Sequence, residues 1–164
     1  MKKIILSIVL IVGLATIIIF ALNFDTTKIR IFILETKCNN RDAESCFDLG
    51  NLYYDGKGVE RDYKKAMEFY GKSCEMGGAR GCYNRGVLYY NGEGVKQDYG
   101  EAYYFYSEAC IMRDAWGCYN IGVLYYNGEG VKQDYKKAME YFGIACDLGK
   151  QKGCDAYKKM KLNP

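Results

Sequence analysis

Residues 74–118 read CEMGGARGCYNRGVLYYNGEGVKQDYGEAYYFYSEACIMRDAWGC and contain two Cys-x7-Cys pairs that start 36 residues apart. The spacing continues on both sides, where successive cysteines are separated by 8, 28, 8, 28, 8, 28 and 8 residues. The eight cysteines are Cys38, Cys46, Cys74, Cys82, Cys110, Cys118, Cys146 and Cys154. A fixed period of this length indicates a repeat architecture with one structural unit per period.

Three consecutive units share one sequence pattern, and they span residues 43–78, 79–114 and 115–150. Residues 81–99 and 117–135 are identical except that Arg85 stands where the third unit has Ile121. The first unit keeps the skeleton Leu49-Gly50, Leu52-Tyr53-Tyr54, Gly56, Gly58-Val59, Asp62-Tyr63 and Ala66. We attribute this similarity to internal duplication.

The first half of each unit is predicted to form a helix. In the second unit, apolar and aromatic residues recur at helical spacing over residues 79–91. Gly92 and Gly94 follow, and a helix can end at such positions with positive φ at little steric cost. The glycines therefore predict the end of the first helix.

A second helix is predicted in the other half of each unit. In the second unit it covers about residues 99–112, and Asp98 occupies the N-cap position, where its carboxylate accepts free backbone N–H groups. Asp98 and Glu101 also have the spacing of a capping box. Asp62 and Asp134 hold the same place in the other units. The sequence thus predicts an all-α solenoid of stacked helix pairs.

These motifs resemble a known family. The pattern Leu49-Gly50-x2-Tyr53, Gly56-x-Gly58-Val59, Asp62 and Lys65-Ala66 is similar to the Sel1-like repeat, a relative of the tetratricopeptide repeat. With the Cys-x7-Cys pairs added, residues 38–154 resemble the Helicobacter cysteine-rich protein family of exported Sel1-like solenoids. The resemblance implies an α/α solenoid.

The two ends of the array are predicted to close it. Residues 25–42 resemble a lone second helix and are expected to form an N-terminal half-repeat. Residues 151–164 begin like a first helix and are expected to form a C-terminal capping helix. Lys158, Lys159 and Lys161 would give this helix a polar outer face, which a terminal helix needs.

The cysteines are predicted to form four disulfides within the eight-residue spacings. One cysteine of each pair lies near the end of a second helix, and the other lies near the start of the next first helix. A short turn between antiparallel helices brings such positions within reach of a disulfide. The predicted pairs are Cys38–Cys46, Cys74–Cys82, Cys110–Cys118 and Cys146–Cys154. Zinc is disfavoured because Cys-x7-Cys lacks the usual zinc-ligand spacing.

Residues 1–24 are predicted to be a signal peptide or a signal anchor. Lys2 and Lys3 precede an apolar run over residues 4–24 that is long enough to cross a bilayer. The segment Ile19-Phe20-Ala21 is a poor cleavage site, so both alternatives remain open. The positive start favours export of the rest of the chain. We expect a periplasmic or secreted protein, anchored to the inner membrane through residues 4–24 if the leader is uncleaved.

Composition excludes several classes of function. Lys and Arg number 23 and Asp and Glu 20, and two of the basic residues lie in the leader, so the remainder is close to neutral. A nucleic-acid partner is therefore not expected. The chain has no histidine, which excludes histidine metal sites and Ser-His or Cys-His catalytic pairs. No metal or cofactor is expected, and we expect a monomer.

The first helices are expected to line a concave face that binds a peptide, protein or cell-wall component. Tyrosine and asparagine favour recognition because they combine contact area with hydrogen bonding. The candidate ligand-binding residues are Asn51, Tyr54, Tyr83, Asn84, Tyr90, Asn91, Trp116, Tyr119, Asn120, Tyr126 and Asn127, with Phe47, Val87 and Val123 beside them.

A structural role for many of these residues remains open. Most of the 17 tyrosines are expected to pack between helices, with Tyr53, Tyr89 and Tyr125 as the favoured core members. Asn91 and Asn127 can simply close their helices before the glycines that follow.

Resemblance to the Helicobacter family also implies a second class of function, weak β-lactamase or penicillin-binding activity. The residues give this alternative little support, because no serine is followed three positions later by the lysine of a Ser-x-x-Lys motif. Cysteines committed to disulfides are not nucleophiles. No catalytic residue is assigned, and both classes of function stay open.

Overall fold

A computed structural model describes residues 26–162, which form eight α-helices and no strand. The helices are α1 Thr26–Asn39, α2 Ala43–Asp55, α3 Tyr63–Glu75, α4 Ala79–Asn91, α5 Tyr99–Ile111, α6 Ala115–Asn127, α7 Tyr135–Asp147 and α8 Gln151–Leu162. The predicted leader at residues 1–24 lies outside the described residues. Within the described residues, no helix has the length and hydropathy needed to cross a bilayer.

The chain divides into two compact units, residues 1–33 and residues 34–164. Of the first unit, the structure describes only residues 26–33, the beginning of α1. The second unit contains the rest of α1 and all of α2 to α8. It is the all-α solenoid that the sequence predicts, because each helix from α2 to α7 packs on the next along the chain.

Aspartates start the second helices, as predicted. The Asp98 carboxylate accepts hydrogen bonds from the backbone N–H groups of Gly100 and Glu101, at 2.9 and 3.1 Å. The capping box proposed for Asp98 and Glu101 is not completed, because the Asp98 N–H donates to the carbonyl of Tyr89, at 3.0 Å. This bond closes the loop between α4 and α5, so Asp98 holds both the loop and the helix start.

Paired glycines shape the loop within each unit. Gly92 ends α4 in the left-handed region with φ of 73°, and Gly94 has φ of 74°. A Cβ on Gly94 would lie 2.7 Å from the carbonyl carbon of Tyr63, in the preceding unit. The second glycine of the Gly-x-Gly motif therefore allows the loop of one unit to pack against the start of the previous second helix.

Aromatic rings over helical glycines form the core between the two helices of a unit. A Cβ on Gly50 would lie 2.4 Å from the ring of Tyr70, and a Cβ on Gly86 would lie 2.7 Å from the ring of Tyr106. Tyr70 and Tyr106 are each 2% exposed. Only a residue without a side chain leaves room for a ring at this distance.

Tyr125 is buried as predicted, and Tyr53 and Tyr89 are half-buried residues that pack against the core. The rings of Tyr53 and Tyr89 each stack on a phenylalanine of the following helix. Lys65 covers the ring of Tyr53, with its ammonium 4.9 Å from the ring centroid.

Four disulfides join each second helix to the next first helix, in the predicted pairs. Their Cα–Cα distances are 4.8, 4.6, 4.7 and 4.5 Å in chain order. A glycine precedes the second cysteine in three of the pairs, and a Cβ on Gly117 would lie 2.8 Å from the Ala109 side chain. Small residues thus let the two helices approach within disulfide distance.

Two consecutive first helices contact each other directly. Among helices that are not neighbours in the chain, the most extensive contact joins α2 and α4, two consecutive first helices. Helices on the inner side of a curved array approach each other more closely than those on the outer side. This contact is the one expected if the first helices α2, α4 and α6 line a concave face, and that face stays a prediction.

Arg85 occupies a core position. Its counterparts in the other units are Leu49 and Ile121, which are 0% and 1% exposed. The Arg85 guanidinium lies 4.4 Å from the ring centroid of Phe105, and its Nε has no hydrogen-bond partner. A buried donor without a partner costs stability, so this position is a weak point between the first two units.

Arg85→Ile is predicted to stabilise the protein. The change restores the residue of the third unit and removes the unpartnered donor, which costs about 1–3 kcal/mol when buried. A urea titration followed by circular dichroism should show a higher unfolding midpoint for the variant. The reverse change, Ile121→Arg, should lower the midpoint; a lower midpoint for Arg85→Ile would contradict this explanation.

Candidate functional site

The predicted ligand-binding residues lie in rows across the first helices. Residues 36 positions apart occupy equivalent places on α2, α4 and α6, such as Tyr54, Tyr90 and Tyr126. Tyr54 and Tyr90 are half-buried, whereas Tyr126 is 45% exposed. Equivalent residues therefore have different surroundings along the array.

Hydrogen bonds hold two of these tyrosines against the next unit. The Tyr54 hydroxyl donates to Glu93, at 3.2 Å, and the Tyr90 hydroxyl donates to Glu129, at 3.0 Å. Asn91 also donates to Glu93, at 3.3 Å, and Asn127 to Glu129, at 3.2 Å. The two tyrosines thus connect consecutive units, and each asparagine bonds the glutamate of its own unit. The two glutamates were not predicted as site residues.

The surroundings of Tyr90 raise its pKa to about 12. Burial is the main cause, because the charged phenolate loses solvation, and the bond to the carboxylate of Glu129 adds to it. The pKa of Tyr54 is raised for the same reasons, with Glu93 as its partner. Both hydroxyls remain donors at neutral pH.

Asn51 and Asn120 lie beside the hydroxyl groups of tyrosines on the second helices. The Tyr70 hydroxyl donates to the Asn51 side-chain oxygen, at 2.9 Å. Asn120 lowers the pKa of Tyr106 and so partly offsets the rise that burial causes. Asn84 has the same effect on Tyr70. The Asn51 side chain therefore satisfies a buried hydroxyl, and Asn84 and Asn120 favour the ionised form of the tyrosines beside them.

Trp116 lies near the start of α6, within an aromatic and basic cluster. Its ring stacks on Tyr83, with centroids 6.3 Å apart, and meets Tyr119 edge-on at 6.2 Å. The ammonium groups of Lys150 and Lys152 lie 2.7 and 5.5 Å from the indole centroid. Trp116 is the single tryptophan of the chain, so its fluorescence reports on the surroundings of the start of α6.

A pocket of about 700 Å³ opens between α6, α7 and α8. Its walls combine aromatic and aliphatic side chains with two lysines. The lining residues are Tyr119, Val123, Tyr126, Tyr135, Lys136, Met139, Phe142, Ala156, Lys159 and Met160. Such a volume with few polar groups is typical of ligand sites.

The pocket owes its opening to the surroundings of Tyr135. The equivalent residues Tyr63 and Tyr99 are covered by the Gly-x-Gly loops of the units that follow them, through close contacts with Gly94 and Gly130. In the described part of the chain no such loop covers Tyr135, which is 55% exposed. Aromatic surface that is covered in the first two units is therefore accessible in the third.

The pocket brings together only part of the predicted set. Tyr119, Val123 and Tyr126 line it, and the other predicted residues lie elsewhere on the first helices. The α7 and α8 residues of the lining were not predicted as a site. Lys159 could have indicated this site from the sequence, because the equivalent residues of the earlier units are the apolar Val87 and Val123.

The comparisons with known proteins agree with the repeat pattern. The family model described as the Sel1 repeat matches residues 43–78, 79–114 and 117–150. Among curated proteins, no sequence matches this chain significantly.

Solved structures of similar fold include three repeat proteins. A protective antigen of uropathogenic Escherichia coli with an SLR fold has 32% identity and a TM-score of 0.72 over 75% of this chain. A Sel1 repeat protein from Oxalobacter formigenes has 28% identity and a TM-score of 0.67 over 70% of this chain. Helicobacter pylori cysteine-rich protein B has 30% identity and a TM-score of 0.64 over 79% of this chain. This chain spans 26%, 47% and 93% of their respective lengths.

The Tyr90 hydroxyl is predicted to lose its proton at a higher pH in the folded protein than in the unfolded chain. Its pKa of about 12 lies above the ordinary value of 10.0, so the protonated hydroxyl contributes stability that is complete below pH 10 and lost as the pH rises towards 12. The difference in near-ultraviolet tyrosinate absorbance between the wild type and Tyr90→Phe should therefore appear near pH 12. Glu129→Gln should shift it to lower pH, and a difference near pH 10 in the wild type would contradict the assigned environment.

Proposed function

The chain belongs to the Sel1 repeat family, and we propose that it is an exported scaffold that binds a peptide, protein or cell-wall-derived ligand on its concave face. The Sel1-repeat fold of this chain supports a role as a protein-binding repeat protein. Stacked units offer an extended surface on which equivalent positions recur in rows. The pocket between α6, α7 and α8 is the observation that carries the proposal.

The pocket favours a ligand with an apolar group next to an anionic one. Tyr119, Met139 and Phe142 supply apolar contact area, and Lys136 and Lys159 supply positive charge. Complementary charge fixes orientation, while the buried apolar contacts provide most of the affinity. A peptide with an apolar side chain and a free carboxylate has this chemistry, and so do the peptide stems of cell-wall fragments.

The rest of the concave face would extend the site along the array. The predicted residues Tyr83, Asn84 and Trp116 lie on α4 and α6, on the way from the pocket to the earlier units. Many hydroxyl and amide groups of this face are already bonded within the protein. We therefore propose that the pocket anchors the ligand and that the rows of aromatic residues add contact area.

Export is supported by the cysteine chemistry. All eight cysteines are paired in disulfides, which form and persist in oxidising compartments. We propose that the protein is periplasmic or secreted, as a monomer, with residues 4–24 as a leader or an inner-membrane anchor.

The β-lactamase alternative gains no observation in its favour. A thiol nucleophile would require a free cysteine, and every cysteine sulfur is engaged in a disulfide. The binding scaffold is therefore the function that we propose.

Lys136→Glu is predicted to weaken ligand binding at least tenfold, while Lys64→Glu leaves it unchanged. Lys64 is the matched control, because it holds the same position in α3 and lies outside the pocket. The full-length protein would be titrated with synthetic peptides that have free or amidated carboxyl ends, and with muropeptides from digested cell wall. Isothermal calorimetry gives the affinity.

Tyr126→Ala and Lys159→Glu should weaken the same interaction, and amidation of the carboxyl end should weaken it as well, because it removes the charge that the lysines face. Equal losses with Lys64→Glu and Lys136→Glu would contradict the assignment of the pocket. If neither peptides nor muropeptides bind the wild type, the proposed function itself is wrong.

A further inference from the structure

The outer face of α5 differs from the outer faces of the other second helices. Tyr104 and Ile111 are 55% and 75% exposed, and two turns of helix separate them, so they lie on one face. The equivalent residues of the first and third units are acidic. They are Glu68 and Glu75 on α3, and Glu140 and Asp147 on α7.

The charges of α5 also differ from those of its neighbours. Lysines stand at the second and third positions of α3 and α7, whereas α5 has Gly100 and Glu101 there. Over its whole length α5 contains Glu101 and Glu108 but no lysine or arginine. The outer face of the middle unit is therefore apolar and acidic at once.

We define the α5 patch as Tyr104 and Ile111 together with the carboxylates around them. Glu101 and Glu108 lie on α5 itself. The flanking helices contribute Glu68, Glu75, Glu140 and Asp147, which stand in the same repeat register as the two apolar residues. Six carboxylates thus accompany two exposed apolar side chains.

Few of these carboxylates are neutralised within the chain. Lys72 pairs with Glu68, at 2.8 Å, and Arg85 approaches Glu75, at 4.0 Å. Lys65 and Lys137 lie over the rings of tyrosines, so their ammonium groups are engaged away from the patch. Among the residues described, no ion pair reaches the other four carboxylates.

The fold does not require this arrangement. Exposed side chains such as Tyr104 and Ile111 add little burial to the monomer, and the first and third units form the same helix with acidic residues in their place. An exposed apolar pair within a charged rim is instead the composition of an interaction surface.

We propose that the α5 patch is a docking surface, separate from the concave face, for a partner protein that presents an amphipathic segment rich in lysine or arginine. The apolar side of such a segment would cover Tyr104 and Ile111, and its cations would face the carboxylate rim. A second copy docked through the same patch would bring like charges together, and an anionic membrane surface would be repelled. The scaffold would then hold two partners, one on each side of the array.

The test uses the full-length protein and a fluorescein-labelled amphipathic helical peptide of leucine and lysine. A peptide with glutamate in place of lysine is the control probe. Fluorescence anisotropy should show binding of the lysine peptide to the wild type and none of the glutamate peptide. The double variant Tyr104→Gln/Ile111→Gln should bind the lysine peptide at least tenfold more weakly, because it removes the apolar contact and leaves the net charge unchanged.

Three further measurements decide the outcome. Glu101→Lys/Glu108→Lys should also abolish binding, because it replaces two carboxylates of the patch by cations that repel the lysine peptide. The fold is expected to accept the change, since the first unit has lysine at both positions. Tyr126→Ala in the pocket should leave it unchanged, which separates this surface from the proposed concave site. Circular dichroism should give both double variants the unfolding midpoint of the wild type.

Wild-type affinity in the glutamine variant would overturn the proposal. Sedimentation offers a second contradicting result, which is a wild type that dimerises and a glutamine variant that does not. The patch would then bind a second copy of the chain. Binding to vesicles of anionic lipid that depends on Tyr104 would overturn the proposal in favour of a membrane surface.

Discussion

The solenoid depends on the close approach of two helix backbones at each eight-residue disulfide. Cα atoms only 4.5 to 4.8 Å apart join the end of one second helix to the start of the next first helix. Small residues such as Gly117 and Ala109 make this distance sterically accessible. Because the same junction recurs, each unit is placed on its predecessor in the same way, and residues 36 positions apart form rows.

The rows then acquire different roles from their surroundings. Tyr54 and Tyr90 bond to glutamates of the following unit, whereas Tyr126 contributes to an open pocket. The outer rows diverge as well, because Tyr104 stands in α5 where both neighbours have glutamate. A repeated fold thus produces local differences on each face, and these differences are where we place binding.

Local signals made much of the fold predictable. The bounds of α4, the N-cap at Asp98 and the glycine ends follow from residues close in sequence, and the cysteine period gave the disulfide pairs. Burial of Tyr70 and the pocket were not predicted, because both depend on contacts between helices from different parts of the array. Some of the residues predicted to bind a ligand have side chains that bond within the protein, such as Asn51, and others line the pocket, such as Tyr119.

Disulfide mapping of the native protein tests the shared junction most directly. Trypsin cleaves within every eight-residue spacing, at Arg41, at Arg80, at Arg113 and at Lys150 and Lys152, and it places all eight cysteines on separate peptides. Mass spectrometry without reduction should identify four linked peptide pairs, each joining cysteines eight residues apart. A link between Cys82 and Cys110, or cysteines that react as free thiols before digestion, would contradict the account.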